Sequence, residues 1–200
     1  MNDPHRDVGV AAFTTDHAPA CDDAGLLHRI AMGDGDAMAS FYREHARVAF
    51  AQVRLVVGDR VLAEEIVQDT MLAVWRGADT YRGESSVRSW VIAIARRQSR
   101  DRLRRNRLRV VDDDCLADRP GSGPGPKVMA LDRAELAAVK SAIEELAPAH
   151  REVLGLAFGV ALSLPEIAGV LEIPVGTVKS RLAAAREALN RTLDEKGQSR

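Results

Sequence analysis

Apolar residues recur at helical spacing wherever this chain has a pattern, and no stretch alternates as a strand would. Leu26, Leu27 and Ile30 open the series. Met38, Phe41, Tyr42, Val48 and Val53 continue it after an interruption at Gly33-Asp34-Gly35-Asp36. Gly58-Asp59 makes a second break, with Asp59 placed to cap a helix reaching about Ala78. Asp79 to Ser86 reads as a polar loop, with Ser85 and Ser86 as candidate caps for a long helix to about Arg107.

The pattern then stops. Asp112-Asp113-Asp114, Asp118 and the PGSGPGP stretch from Pro120 to Pro126 cannot hold regular structure. Helical spacing resumes from about Met129 to Leu146, breaks at Pro148 and continues to about Phe158. Two short helices around a tight turn follow. This predicts an all-α fold of two small helical domains joined by a flexible linker. Residues 1–24 form an aperiodic tail, 25–108 the first domain, 109–128 the linker, 129–194 the second domain and 195–200 a C-terminal tail.

Composition supports helices: 46% of the 200 residues are hydrophobic but only 4% aromatic, so the cores must be aliphatic. Cys21 and Cys115 stand far apart and read as free thiols in a reducing cytoplasm. The five histidines form no HxxxH or HExxH pair, so neither metal nor cofactor is expected. No apolar run approaches the ~18–20 residues of a membrane span, and MNDPHRD is not a signal peptide. A net charge of −1 looks wrong for a nucleic-acid binder, but the charge is segregated along the chain.

Three helical faces carry the chemistry. At about 100° per residue, Leu62, Ala63, Ile66, Val67, Thr70, Ala73 and Val74 form a core side of the helix from Val61 to Ala78. Its other side collects Glu64, Glu65, Gln68 and Asp69 together with Met71, Leu72 and Trp75. Acids interleaved with large apolar groups suit a protein-docking surface; equally, Met71 and Trp75 could pack under a neighbouring helix with the acids merely solvated.

The next helix is more decisive. RRQSRDRLRRNRLR, from Arg96 to Arg109, holds eight arginines and one aspartate. Arg96, Arg100 and Arg104 recur every fourth residue with Arg97 beside them, while Val91, Ile92, Ala95 and Leu103 are assigned to the opposite side. Such a stripe tracks phosphates. Tyr81-Arg82-Gly83-Glu84-Ser85-Ser86 and Trp90 stand beside it, and aromatics next to a basic channel can stack unpaired bases; Tyr81 and Trp90 also suit a core.

The third face belongs to the pair of short helices. Ser163-Leu164-Pro165-Glu166 is a capping-box pattern with proline in the first turn. Ile167, Ala168, Val170 and Leu171 pack the first helix, and Ile173, Val178 and Leu182 seat the second. Thr177, Lys179, Ser180 and Arg181 then face outward, as on a recognition helix entering the major groove.

AEEIVQDTMLAVWRGADTYRGESSVRSWVIAIARRQSRDRLRR (Ala63–Arg105) and LSLPEIAGVLEIPVGTVKSRLAAAREAL (Leu162–Leu189) together resemble regions two and four of the extracytoplasmic-function (ECF) sigma factors of bacterial RNA polymerase. A looser likeness runs over Leu26–Leu193, with no appended sensor domain expected. The resemblance implies promoter recognition without catalysis. Glu64, Glu65, Gln68, Asp69 and Leu72 would dock on the clamp of the largest polymerase subunit, and the second domain on the flap of the second-largest. Tyr81, Arg82, Gly83, Glu84, Ser85, Trp90, Arg96, Arg97, Arg100 and Arg104 would hold the melting −10 element, and Thr177, Lys179, Ser180, Arg181 and Arg186 the −35 element. The acidic run Asp112–Asp114 would imitate nucleic acid along the polymerase, or stay as solvated linker charge.

Two places depart from the family pattern. Glu172 stands at the turn where glycine is frequent, and Ala183, Ala184 and Ala185 replace bulkier or basic residues. The resemblance further implies an anti-sigma factor, which if membrane-bound would hold this cytoplasmic protein near the membrane. Rival readings are a stand-alone helix-turn-helix regulator with an N-terminal partner-binding domain, and an inactive interaction protein that needs no arginine stripe.

Overall fold

The computed structural model describes residues 22–110 and 133–198, and every regular element in them is helical. α1 (Asp23–Ala31), α2 (Gly35–Val57), α3 (Arg60–Gly77) and α4 (Val87–Val110) make the first module. α5 (Arg133–Glu145), α6 (Pro148–Leu154), α7 (Leu164–Leu171) and α8 (Val175–Gln198) make the second. The tail residues through Cys21, the acidic run, Cys115 and the Pro/Gly stretch lie outside the described residues. α4 continues through Val110 and α8 through Gln198, beyond the boundaries drawn at 108 and 194. No helix among the described residues is long and apolar enough to cross a membrane.

Helix ends sit where side chains can satisfy unpaired backbone N–H groups. Asp34 accepts from Asp36 and Ala37, and Asp59 from Leu62 at 2.8 Å. Of the two candidate serines it is Ser86 that caps α4, its Oγ accepting from the Ser89 N–H at 3.2 Å. Gly58 closes α2 at φ +76°, a left-handed geometry that glycine adopts at low cost. Ser163 and Glu166 form the full capping box at the start of α7.

In the first module Leu27, Ile30, Phe41, Val53, Ile66, Val67, Val74, Val91 and Ile92 are buried. Met71 joins them at 3% exposure and does not belong to the outer face of α3, whereas Leu72 and Trp75 stay out at 44% and 37%. At about 100° per residue Met71 lies beside Val67 and Val74, so the wheel itself favours the core. The second module buries Val153, Leu156, Val160, Ile167, Val170, Val178 and Ala185.

These two sets form one continuous apolar cluster, because α6 and the segment after it pack on α2 while α7 packs on α4. Gly155 permits the approach. A Cβ there would lie 2.3 Å from Gln52 Oε1 and 2.7 Å from Leu55 Cδ1. From Gly155 to Gly159 the chain widens into one π turn, closed by the Val160 N–H donating to the Gly155 carbonyl at 2.9 Å.

Candidate nucleic-acid and polymerase interfaces

The outer face of α3 is acidic but not free. Arg102, projecting from α4, donates to Asp69 at 2.9 Å and to Glu65 at 3.1 Å. Those hydrogen bonds, Asp69's foremost, raise the Arg102 pKa above its ordinary value. Glu64 pairs within its own helix with Arg60 at 2.9 Å. Gln68 and Leu72 are exposed between them, with Trp75 one turn on. The surface is therefore an apolar ridge flanked by carboxylates held in fixed positions.

α4 presents the basic face. Val91, Ile92 and Ala95 are buried against the core, which turns Arg96, Arg97, Arg100 and Arg104 toward a groove of about 830 Å³ between α4 and α7. Leu103 lines this same groove and not the opposite side. Seven residues beyond Arg96 is close to two full turns, so Leu103 must return to the arginine face. No acid among the described residues pairs with Arg97 or Arg104.

The loop before α4 is braced and not open. Tyr81 and Trp90 lie 5.5 Å apart, tilted by 58°, and the Tyr81 hydroxyl donates to the Ser85 carbonyl at 2.5 Å. Burial raises the Tyr81 pKa, and the nearby Asp23 charge adds to the rise. Gly83 takes φ +72°, so the loop turns where a side chain would be strained. Arg82, Glu84 and Ser85 project into solvent.

In the second module the α7–α8 corner carries Glu172 at φ 57°, ψ 43°, the left-handed geometry that its place in the turn implied. Pro174 starts α8 by accepting from Thr177 and Val178 through its carbonyl. Lys179 and Ser180 are exposed, Thr177 and Arg181 half-buried, and Ser180 is turned back onto the Thr177 carbonyl at 3.0 Å. Arg186 lies over the Phe158 ring at 5.4 Å, which links the recognition helix to the π turn. In the alanine run, Ala183 and Ala184 are exposed while Ala185 is fully buried, so packing of the helix accounts for Ala185.

The Sigma-70 region 2 family matches residues 41–109, and the Sigma-70 region 4 family matches residues 136–189. The RNA polymerase sigma factor CnrH of Cupriavidus metallidurans is 33% identical over 181 residues, covering 86% of this chain and 94% of the relative. The ECF RNA polymerase sigma factor SigL of Mycobacterium tuberculosis is 35% identical over 167 residues, covering 82% and 92%. The chain belongs to the ECF sigma factors. As a sigma factor it directs promoter-specific initiation of transcription and binds DNA.

Two solved structures share the fold of this sigma factor. CnrH in complex with the cytosolic domain of CnrY has a TM-score of 0.63 at 27% identity, over 86% of this chain and 97% of that one. RpoE from Bartonella quintana in complex with the anti-sigma factor NepR has a TM-score of 0.68 at 24% identity, over 78% and 96%, a likeness of fold alone.

The structure brings the arginine stripe, Trp90 and the Tyr81 loop of this sigma factor onto one side of α4. It keeps Thr177, Lys179, Ser180 and Arg181 on a separate helix. Sequence reasoning missed Arg88, Arg102, Glu152, Glu166 and Phe158. Their roles arise from contacts across dozens of residues, and only the Glu166 capping signal was local.

Proposed function

We propose that this sigma factor grips its promoter at two points and its polymerase at two points, acting by binding and not by catalysis. The observation that carries the reading is the arginine face of α4, standing beside the Tyr81–Trp90 pair in the same chain as a capped helix-turn-helix. Unpaired −10 bases would meet the aromatic loop while Arg96, Arg97, Arg100 and Arg104 hold the strand backbone, combining stacking with phosphate attraction. Thr177, Lys179, Ser180, Arg181 and Arg186 would position α8 on the −35 duplex. Each contact alone is weak, and joining them through one polymerase raises the effective concentration of the second.

The ridge of Glu64, Glu65, Gln68, Asp69 and Leu72 is the surface for the clamp of the polymerase's largest subunit; the second module meets the flap. Cytoplasmic residence follows from that partner. The likeness to CnrH bound by the cytosolic domain of CnrY supports an anti-sigma protein as a further partner. The deciding experiment is transcription in vitro with core polymerase and genomic fragments, with start sites mapped. Starts that appear only with this protein, at promoters sharing a −10 and a −35 element, are expected. A protein that binds duplex DNA tightly alone and directs no initiation would return the stand-alone regulator.

A further inference from the structure

Arg102 occupies a direction on α4 that elsewhere carries apolar residues. At about 100° per residue it points the same way as Val91 and Ala95, both buried in the core. The same count sets it about 160–200° away from Arg100 and Arg104, on the side of the helix turned from the groove. Its guanidinium accordingly meets α3, which packs on α4, and takes no part in the arginine stripe.

Arg102 Nη1 donates to Glu65 Oε2 at 3.1 Å and Nη2 to Asp69 Oδ2 at 2.9 Å. Each acid gives this fork a single oxygen. The second oxygens, Oε1 of Glu65 and Oδ1 of Asp69, take no partner among the described residues, and the side chains stay 50% and 41% exposed. Leu72 follows on the same stripe of α3, one turn beyond Asp69. Two carboxylates one turn apart repel each other. Without a cation between them both would spread over several rotamers.

We propose that Arg102 is a positioning residue for polymerase docking: it holds Glu65 and Asp69 as a fixed pair of acceptors, with one oxygen each for a basic group of the clamp, beside the apolar anchor Leu72. The proposal rests on the reading of the α3 ridge as the docking surface. It divides the arginines of α4 between two tasks, because Arg96, Arg97, Arg100 and Arg104 line the groove while Arg102 fastens the ridge. Acids that are already ordered lose less freedom when a partner binds.

Binding of the labelled full-length protein to core polymerase tests this. Arg102→Ala should weaken binding about fivefold, roughly the effect of having to freeze one long side chain at an interface. Melting should shift by less than about 4 °C, since solvent screens the ion pairs. Arg102→Lys keeps the charge without the planar fork and should recover only part of the loss. Arg47→Ala, at an exposed site on α2, removes the same charge and should bind as the native protein does. Adding Arg102→Ala to a Glu65→Ala, Asp69→Ala double variant should weaken binding no further, because Arg102 acts through those acids.

An Arg102→Ala protein that binds as tightly as the native one, or tighter, overturns the proposal; tighter binding would make the guanidinium a competitor of the clamp. Full recovery by lysine reduces the effect to net charge and also overturns it. A further loss in the triple variant would mean that Arg102 touches the polymerase itself, against a positioning role. If Leu72→Arg still weakens binding in any of these cases, the ridge stands as the docking surface and only the role of Arg102 is lost. If Leu72→Arg binds normally, the reading of the ridge falls and the proposal with it.

Discussion

Replacing Glu172 tests how much strain the helix-turn-helix corner stores. The residue sits at φ 57°, ψ 43°, where a side chain costs roughly 1–2 kcal/mol. Its backbone N–H donates to Gly169 at 3.3 Å, and the following Ile173 N–H to Ala168 at 3.1 Å; any residue keeps both bonds. Its carboxylate meets Arg100 at 3.4 Å with side chains 76% and 61% exposed, so solvent screens the pair to a few tenths of a kcal/mol at most. Glycine relieves the strain but loosens the unfolded chain by about 0.4–1 kcal/mol. Alanine loses the same ion pair and keeps the strain. Glu172→Gly should therefore be more stable than Glu172→Ala by about 0.5–1 kcal/mol.

Thermal melts followed by circular dichroism read this difference directly. A gap of about 1–4 °C is expected if the modules melt together, and about 2–8 °C if the second melts alone. An alanine variant that matches or exceeds the glycine variant would refute the strain argument.

Leu72→Arg should weaken core-polymerase binding at least about tenfold with no loss of helix content, because Leu72 is 44% exposed on the docking ridge. Met71→Arg, one residue away but 3% exposed, should instead lower stability by several kcal/mol, as melts would record. Arg104→Ala should lower the salt dependence of single-strand binding by about 0.7 in log–log slope, measured by titration at several salt concentrations. Burial raises the Glu166 carboxyl, but hydrogen bonds from Ser86 and Ser163 outweigh it, so the folded pKa lies below the ordinary 4.5. Its stabilisation is then complete above about pH 4.5 and fades as acid passes through the lowered value. The stability gap between the native protein and Glu166→Gln should shrink over that range in denaturant melts.

Much of this molecule was legible from local pattern. Period-3.6 spacing, Asp59, the Gly58 stop and the Ser163–Glu166 box act within a turn or two, so the helices and their caps follow from short-range sterics and hydrogen bonds. The arginine stripe was readable for the same reason: a fourth-residue repeat falls on one helical face whatever surrounds it. Leu103 was assigned to the wrong side and Met71 was left between two readings, since a mixed face has no single hydrophobic direction.

What the sequence by itself determined is the set of helices, their caps and the chemistry of each exposed face. Only the tertiary structure decided which faces meet. Arg102 reaches 33 residues back to Asp69, Arg96 reaches 56 ahead to Glu152 and Ser86 reaches 80 ahead to Glu166. Such pairings depend on how α2, α4, α6 and α7 pack, which a one-dimensional charge pattern does not encode. A stripe of arginines is the same string of letters whether it faces water, a nucleic-acid strand or the carboxylates of its own chain; burial and distance distinguish them.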